Sequence, residues 1–414
     1  MSKRIVVIGG GASGMCAAVY AARNGATVTI IEKNTQLGKK LSMTGNGRCN
    51  LSNLDMTEKM YNAAAEKRMK EWLSVYGVLD VINFFKSLGI VIKSEDGYLY
   101  PVSGQASTVV SAFKNELDRL GVKLIYGEQA KSINILDDVL DEPGNERYLV
   151  ITNKNSYEAD RVIIATGGLS GAKSTMSTGD GYYICKNLGL NIKDTYPALV
   201  GFKADEDEYM PETGVRCTAE ISFLLGTEVI AREYGELQIT KDGISGIPVM
   251  QASGKVVRFL SEGKPIFASI NFFPDYDEDD YLSLEKEMLR LRDDRSLEEF
   301  LNGYHNSQIN EMIIRRTKMG RNMKMKNISE SMVLSIFDNY RNYKIKLKDN
   351  YGYQQSQVTS GGISLGDIRD DMTTIRHDGI FVVGELLDVD GRCGGYNLQW
   401  AFTSGSIAGT VASL

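Results

Sequence analysis

The sequence predicts an α/β protein: a nucleotide-binding domain made of two distant pieces, with a large insertion of strands and then helices between them. Three observations predict it. Residues 4–33 read as strand, glycine-rich turn, helix and strand; the texture changes after about residue 190; and near 355 a Gly-rich strand-and-turn texture returns and runs to the end. The expected boundaries are 1–190 with 355–414 for the nucleotide domain, and 191–354 for the insertion, with strands over 196–240 and helices over 245–345.

The first element carries the most information. Arg4 to Ile8 is an apolar run that breaks into Gly9-Gly10-Gly11-Ala12-Ser13-Gly14, followed by an alanine-rich helical segment and Val28-Thr29-Ile30-Ile31-Glu32. This is G-x-G-x-x-G between strand and helix, with an acid at the end of the second strand. Gly9 permits the tight turn, Gly11 lets backbone approach a pyrophosphate, and Gly14 lets the helix pack close to the strand. The helix N-terminus then offers N–H groups and a positive dipole end to phosphates. Glu32 would accept hydrogen bonds from an adenosine ribose; facing a 2′-phosphate it would repel, which disfavours NADP and leaves FAD and NAD.

The elements that follow are read from periodicity. Residues 36–53 form a loop rich in Gly, Asn and Lys, and 56–76 and 78–89 are helical. Residues 90–101 form a hairpin. Ser107 to Leu120 is an amphipathic helix with Val109, Val110, Phe113, Leu117 and Leu120 on one face. Val122 to Tyr126 is a strand, 130–159 a meander turning at Asp141-Glu142-Pro143-Gly144, and Arg161 to Ala165 a buried strand. Within the insertion, 245–262 and roughly 283–345 are helical, with Ser245 as a helix cap and Pro248 in the first turn. Ile380 to Glu385 is a buried strand entering a turn. Leu398 to Val411 is a final helix whose small residues Ala401, Ser404, Gly405, Ala408 and Gly409 suit close packing.

Bulk properties bound the function. The chain has 414 residues, 43% hydrophobic and 24% charged, which suits a soluble enzyme with a large core. A net charge of −6 argues against nonspecific nucleic-acid binding. The five cysteines are scattered and odd in number, and only two histidines occur, so neither a disulfide framework nor a structural zinc site is expected. His305 and His377 are expected at the surface, and Cys16 and Cys185 packed in helices. The first strand begins near residue 4, leaving no room for a signal peptide, and no apolar run reaches the roughly eighteen residues of a membrane span. A cytoplasmic protein with no membrane partner is expected; the oligomeric state is not read from the sequence.

Two further stretches carry chemistry. Gly38 to Asn50 places Lys39, Lys40 and Arg48 among the glycines Gly45 and Gly47, beside Asn46 and Cys49, a composition suited to a pyrophosphate or a flavin edge. Gly384 to Leu398 runs strand end, polar Gly-rich loop, helix start. Backbone N–H groups near Asn397 and Leu398 would meet the N1/O2 edge of a flavin, and Glu385 would hold ribitol hydroxyls. An enzyme using NAD alone has no need of this second piece, so FAD is the expected cofactor.

With these motifs in order, the chain resembles the flavoprotein family called HI0933-like. The matching segments are Gly9 to Gly14, Thr44 to Asn50, Ala165-Thr166-Gly167-Gly168, Ser177 to Gly181, Val358 to Gly362, and Gly384 to Gln399. The resemblance implies noncovalent FAD on a Rossmann-type domain. It implies FAD contacts at Gly9, Gly11, Ser13, Gly14, Glu32, Lys33, Lys39 or Lys40, Gly45 to Asn50, Gly167, Gly384, Glu385, Asn397 and Leu398. Ala130 would offer its backbone to the adenine. Relatives often carry a histidine where this chain has Lys241, so a role for that histidine would be altered here.

Members of the family resemble reductases of 3-oxo-Δ4 and 3-oxo-Δ4,6 steroid and bile-acid intermediates, or oxidases of small aminoketones such as aminoacetone. The resemblance does not choose between them. The reductase is favoured, with NAD(P)H docking transiently as donor and an inserted domain large enough for a bulky ligand. The alternatives are the aminoketone oxidase and, in another class, a nonenzymatic flavin redox sensor or RNA-associated scaffold. Tyr396 is the candidate proton donor. Cys49, which shares Gly-Arg-Cys with Cys393, is a candidate redox thiol. The basic stretch Arg315 to Lys326 would meet a substrate carboxylate or cofactor phosphates, or form a solvated face.

Overall fold

The computed structural model describes residues 2–136, 147–291 and 293–414. The expected turn at Asp141 to Gly144 lies outside them. Two compact units emerge, one of Met1–Tyr196 with Gln357–Leu414 and one of Pro197–Ser356.

The first unit opens with β1 (Arg4–Ile8), α1 (Ala12–Arg23) and β2 (Thr27–Glu32). Then come β3 (Ser52–Asn53), α2 (Ala63–Val75), α3 (Val78–Ser87), β4 (Ile92–Glu95), β5 (Tyr98–Pro101), α4 (Ala106–Arg119) and β6 (Lys123–Tyr126). A meander of β7 (Ala130–Leu136), β8 (Arg147–Thr152) and β9 (Ser156–Ala159) leads to β10 (Arg161–Ile164), α5 (Ala172–Thr175), α6 (Asp180–Asn187) and β11 (Ile192–Ala198). The second unit contains β12 (Phe202–Ala204), β13 (Val215–Leu225), β14 (Glu228–Thr240), β15 (Gly243–Gly246), α7 (Ile247–Ser261) and β16 (Ile266–Asn271). It continues with α8 (Glu278–Arg290), α9 (Leu297–Leu301), α10 (Ser307–Thr317), α11 (Glu330–Arg341) and β17 (Tyr343–Asn350). The chain then returns to the first unit with β18 (Val358–Ile363), β19 (Ile380–Val382) and α12 (Tyr396–Ala412).

A parallel sheet in the order β19-β10-β1-β2-β6 forms the centre of the first unit. Ile5, Val6, Val7 and Ile8 are all buried, as expected for a strand covered on both faces. The small residues of α12 meet α1. A Cβ at Gly405 would lie 2.5 Å from the Ser13 carbonyl oxygen, and one at Gly409 2.2 Å from that of Ala17. Any side chain at either position would push the helices apart.

The second unit holds a closed barrel in the order β12-β15-β14-β13-β16-β17. Its buried residues alternate along each strand: Ala219, Ile221 and Phe223; Leu237 and Ile239; Ile266, Ala268 and Ile270; Ile345 and Leu347. In so small a barrel such a set fills the interior with side chains. The interior of the barrel is therefore packed core.

The expected helical run to residue 345 is also corrected. It contains four separate helices and ends in β17, whose Tyr343, Ile345 and Leu347 alternate with lysines and pair with β16 and β12. Ser245 belongs to β15, and Gly246 is the residue preceding α7, with Pro248 in the first turn as expected. His305 is half-buried rather than at the surface, its ring 5.7 Å from that of Phe272 and 5.9 Å from that of Phe273. Cys16 and Cys185 are buried in α1 and α6. Among the described residues no helix is long and apolar enough to cross a membrane, and no group of residues is arranged to hold a metal ion.

Candidate active site

The site grows from the β1–α1 turn. Gly9 has φ +107°, and a Cβ there would lie 2.4 Å from the Ala165 carbonyl oxygen; one at Gly14 would lie 2.0 Å from the Gly9 carbonyl oxygen. These two glycines bring the end of β10, the turn and α1 into contact. Gly11 differs: a Cβ there meets nothing within 4 Å. It precedes α1 with no side-chain cap, so the helix opens on uncapped N–H groups facing free space.

Glu32 closes the other side of the turn. Its buried carboxylate accepts from the Gly10 N–H at 2.8 Å, the Asn34 N–H at 2.7 Å and the Asn34 amide at 2.8 Å. These bonds hold it oriented, with lone pairs left for hydroxyl donors. Lys33 is turned away from a phosphate role, its Nζ 2.6 Å from Asp180 and 2.8 Å from the Thr178 hydroxyl. Lys39 reaches Asn34 at 3.5 Å. Ala130 is buried at the start of β7.

The distal piece of the chain meets this turn directly. A Cβ at Gly384 would lie 2.5 Å from the Ser13 hydroxyl oxygen. Glu385 binds Lys40 at 2.5 Å through one oxygen and accepts from the Thr359 N–H at 2.9 Å through the other. Gly167, in the loop after β10, has open space at its Cβ position, and the neighbouring Thr166 hydroxyl is buried without a partner among the described residues.

Gly38 to Asn50 is built from backbone rather than charge. Gly45, Asn46, Gly47 and Cys49 have φ of +56°, +53°, +83° and +61°. These left-handed residues curl the chain back on itself, the Arg48 N–H donating to the Gly45 carbonyl at 3.0 Å and the Cys49 N–H to that of Thr44 at 3.1 Å. The Arg48 side chain is directed elsewhere, 2.5 Å from Glu95 and stacked 4.3 Å over the Tyr100 ring. The Asn50 amide lies between β5 and the distal loop; with its oxygen and nitrogen assigned to suit its neighbours it donates to the carbonyls of Leu99 and Ser52 and accepts from the Gly395 N–H.

The start of α12 forms the remaining wall. Gly395 precedes it with no side-chain cap, leaving the first-turn N–H groups of Tyr396, Asn397 and Leu398 at a helix of 17 residues. The Asn397 side chain is occupied with the loop, accepting from the Gly391 N–H at 2.8 Å and donating to the Gly391 carbonyl at 2.9 Å. Tyr396 is buried. Its carbonyl accepts from the Tyr61 hydroxyl at 3.0 Å, and both its ring and that of Tyr98 lie against Gly394. Burial, and then the neighbouring Tyr98, push its phenol upward. It therefore stays protonated at neutral pH.

Burial pushes the Cys49 thiol up to about 12, and burial likewise raises Cys393. Neither forms a disulfide. A buried, protonated thiol is a poor nucleophile. The basic stretch in the second unit is internally paired: Arg315 and Arg321 bind Glu311, Arg316 binds Glu208 and Lys326 binds Asp294. That is the solvated face of the two readings. The sequence reading missed Thr359, whose hydroxyl accepts from the Leu169 N–H at 2.8 Å and joins the Gly168 loop to Glu385; its signal was the Val358 to Gly362 motif.

The profile of the HI0933-like protein Rossmann domain matches residues 3–411. The chain belongs to the HI0933-like family. It is an FAD-dependent oxidoreductase on a Rossmann-type fold. The chain is 34% identical over 413 residues to the 3-dehydro-bile acid delta(4,6)-reductase of Clostridium scindens, covering 99% of each. It is 27% identical over 403 residues to the ribosomal RNA dihydrouridine synthase of Haemophilus influenzae, covering 96% of each. The fold is similar to the crystal structure of 3-ketosteroid-delta4-(5alpha)-dehydrogenase from Rhodococcus jostii RHA1. There the TM-score is 0.54 at 15% identity, over 100% of this chain and 97% of that one.

The residues of this HI0933-like chain fit FAD. Gly11 and Gly167 leave space where backbone must approach a ligand, the Thr166 hydroxyl lacks a partner among the described residues, and two uncapped helix starts suit the pyrophosphate and the flavin edge. Glu32 and Glu385 would supply acceptors for sugar and ribitol hydroxyls.

Proposed function

We propose that this protein uses FAD to reduce a C=C bond conjugated to a carbonyl, in a 3-oxo-Δ4 or 3-oxo-Δ4,6 steroid or bile-acid intermediate. NAD(P)H would dock transiently as the electron donor. The observation that carries the reading is the 34% identity, across nearly the full length of both chains, to a bile-acid delta(4,6)-reductase. Gly9 to Gly14, Glu32, Gly45 to Asn50, Gly167, Gly384, Glu385 and the start of α12 would hold the cofactor, through the groups described above.

Bound reduced FAD would supply a hydride to the β-carbon of the enone. The chain's own residues do the rest. The first-turn N–H groups of α12 favour negative charge beside them. Tyr396, in the same turn and protonated at neutral pH, would give a proton to the α-carbon. The left-handed curl at Gly45 to Cys49 would form the opposite wall.

A second reading is favoured by one observation, the 27% identity to a ribosomal RNA dihydrouridine synthase. Uracil also presents a C=C bond conjugated to a carbonyl, so the reaction class is shared and the substrate differs. The net charge of −6 and the internally paired Arg315 to Lys326 stretch favour the small molecule.

The test is anaerobic. The FAD-loaded protein is mixed with NADH or NADPH and followed by flavin absorbance. A 3-oxo-Δ4,6 steroid, an aminoketone, ribosomal RNA and oxygen are then added separately. Reoxidation by the steroid alone, with loss of its C=C bond, is expected. Fast reoxidation by oxygen without response to the enone overturns the proposal in favour of the oxidase. Response to RNA alone selects the second reading.

A further inference from the structure

The first two turns of α12 carry a buried polar face that fold stability alone does not require. Gln399, Thr403 and Ser404 are fully buried, on a helix whose other buried positions are mostly apolar or small. Gln399 and Thr403 stand one turn apart on one row, and Trp400 and Ser404 one turn apart on the next.

Each row holds a different segment of the site. On the first, the Gln399 carbonyl oxygen accepts from the Ser52 hydroxyl at 2.6 Å. Its amide nitrogen donates to Thr403 at 3.0 Å and to the Tyr76 carbonyl at 3.3 Å, and Thr403 donates to that same carbonyl at 2.9 Å. Ser52 lies two residues beyond Asn50, so this row holds the end of the Gly45 to Asn50 wall. On the second row, the Trp400 indole donates to the Gly384 carbonyl at 3.0 Å, and the Ser404 hydroxyl accepts from the Gly384 N–H at 3.0 Å. Both backbone groups of Gly384 are thus taken by α12, directly beside Ser13 and Glu385.

We propose that α12 acts as a spacer in which Gln399, paired with Ser52, is a positioning residue fixing the flavin-edge wall relative to the Gly384 turn. The inference rests on the FAD reading above. A one-residue slip or a small rotation of the helix breaks both rows together, because every partner is fixed backbone or a buried hydroxyl. A buried network of this kind is favourable only when every member is satisfied. The pairing therefore selects one separation of the two segments, which an apolar pair of the same volume would not do.

Ser52→Ala, Gln399→Leu and the double variant test it, with Ser52→Thr as the conservative replacement. Ser253→Ala is the control: its hydroxyl is buried in the second unit and donates to the Met250 carbonyl. The readouts are apoprotein melting, FAD dissociation constant, flavin midpoint potential, and hydrogen exchange of the amides around 50–53 and 384–386. Each single variant is expected to weaken FAD binding about tenfold, displace the potential and speed exchange in both segments. Ser52→Thr restores these, and Ser253→Ala leaves them unchanged. If Gln399→Leu does not fold, Ser52→Ala, which removes one hydroxyl, carries the test. A lower apoprotein melting temperature with native FAD affinity and potential overturns the positioning role. Absence of FAD binding in the unaltered protein overturns the cofactor reading on which it rests.

Discussion

Gly11 separates a cofactor cradle from an ordinary tight turn, and Gly11→Ala distinguishes them. Its φ is −81° and its ψ −171°, extended geometry that alanine adopts without strain, and a Cβ there meets nothing within 4 Å. Losing glycine's freedom in the unfolded chain should stabilise the apoprotein by about 0.4–1 kcal/mol. Replacing glycine at the position before a helix should cost about as much, since alanine is poor there. The two effects nearly cancel, and apoprotein stability should move by less than about 0.5 kcal/mol. The added methyl projects into the space where phosphate oxygens would approach backbone N–H groups. Each charge-assisted bond there is worth about 1.5–3 kcal/mol, so losing one weakens FAD binding at least about tenfold. Gly14→Ala is the contrast: its Cβ would lie 2.0 Å from the Gly9 carbonyl oxygen and 3.1 Å from the Ala165 Cβ. It should lose about 1–3 kcal/mol of apoprotein stability as well as FAD. Urea denaturation of the apoproteins and quenching of FAD fluorescence read the two effects. Native FAD affinity in Gly11→Ala, or an apoprotein markedly less stable than the parent, refutes the reasoning.

Three further outcomes are expected. Tyr396→Phe should slow reduction of an enone about a hundredfold while leaving flavin reduction by NAD(P)H unchanged; unchanged turnover removes the proton-donor role. Cys49 should resist alkylation in the native protein, because burial holds its thiol up to about 12, and equal thiol counts in the oxidised and reduced protein are expected. Glu116 is held below the usual carboxylate range by Arg119 and Arg23, despite burial acting the other way. Its contribution is present above its unfolded pKa near about 4.3 and is lost as pH falls through the lower folded value. Glu116→Gln should cost about 1–2 kcal/mol at pH 7 and flatten the acid limb of the stability profile, measured by denaturation between about pH 3 and 7.

How much was legible depended on sequence distance. The β1–α1–β2 unit, the hairpin at 92–101 and the helix over 106–119 were readable because their periodicity, glycines and turns act locally. Helix was read through to 345 because helical runs precede β17, although Tyr343, Ile345 and Leu347 alternate with Lys344, Lys346 and Lys348 as a strand should. Strand pairing across the barrel, such as Phe202 with Asn350, follows from packing that no local window contains. At the site, residue types pointed to loops but not to where their side chains go. The Arg48 and Lys33 side chains are turned to Glu95 and Asp180, and the Asn397 side chain to the Gly391 backbone, while its expected contact is through the backbone.

The sequence by itself determined that a dinucleotide turn is present, that an acid follows it, and that a second glycine-rich strand end and helix lie far along the chain. Those are properties of short segments, set by φ freedom, hydrophobic period and charge. Only the tertiary structure decided that Gly384 stands against Ser13, that Glu385 pairs with Lys40, and that Gln399 and Ser404 grip two separate segments from one helix. All but the Ser404 contact join residues hundreds of positions apart. Their energies arise from burial and hydrogen-bond geometry that exist only once α12 has packed on α1.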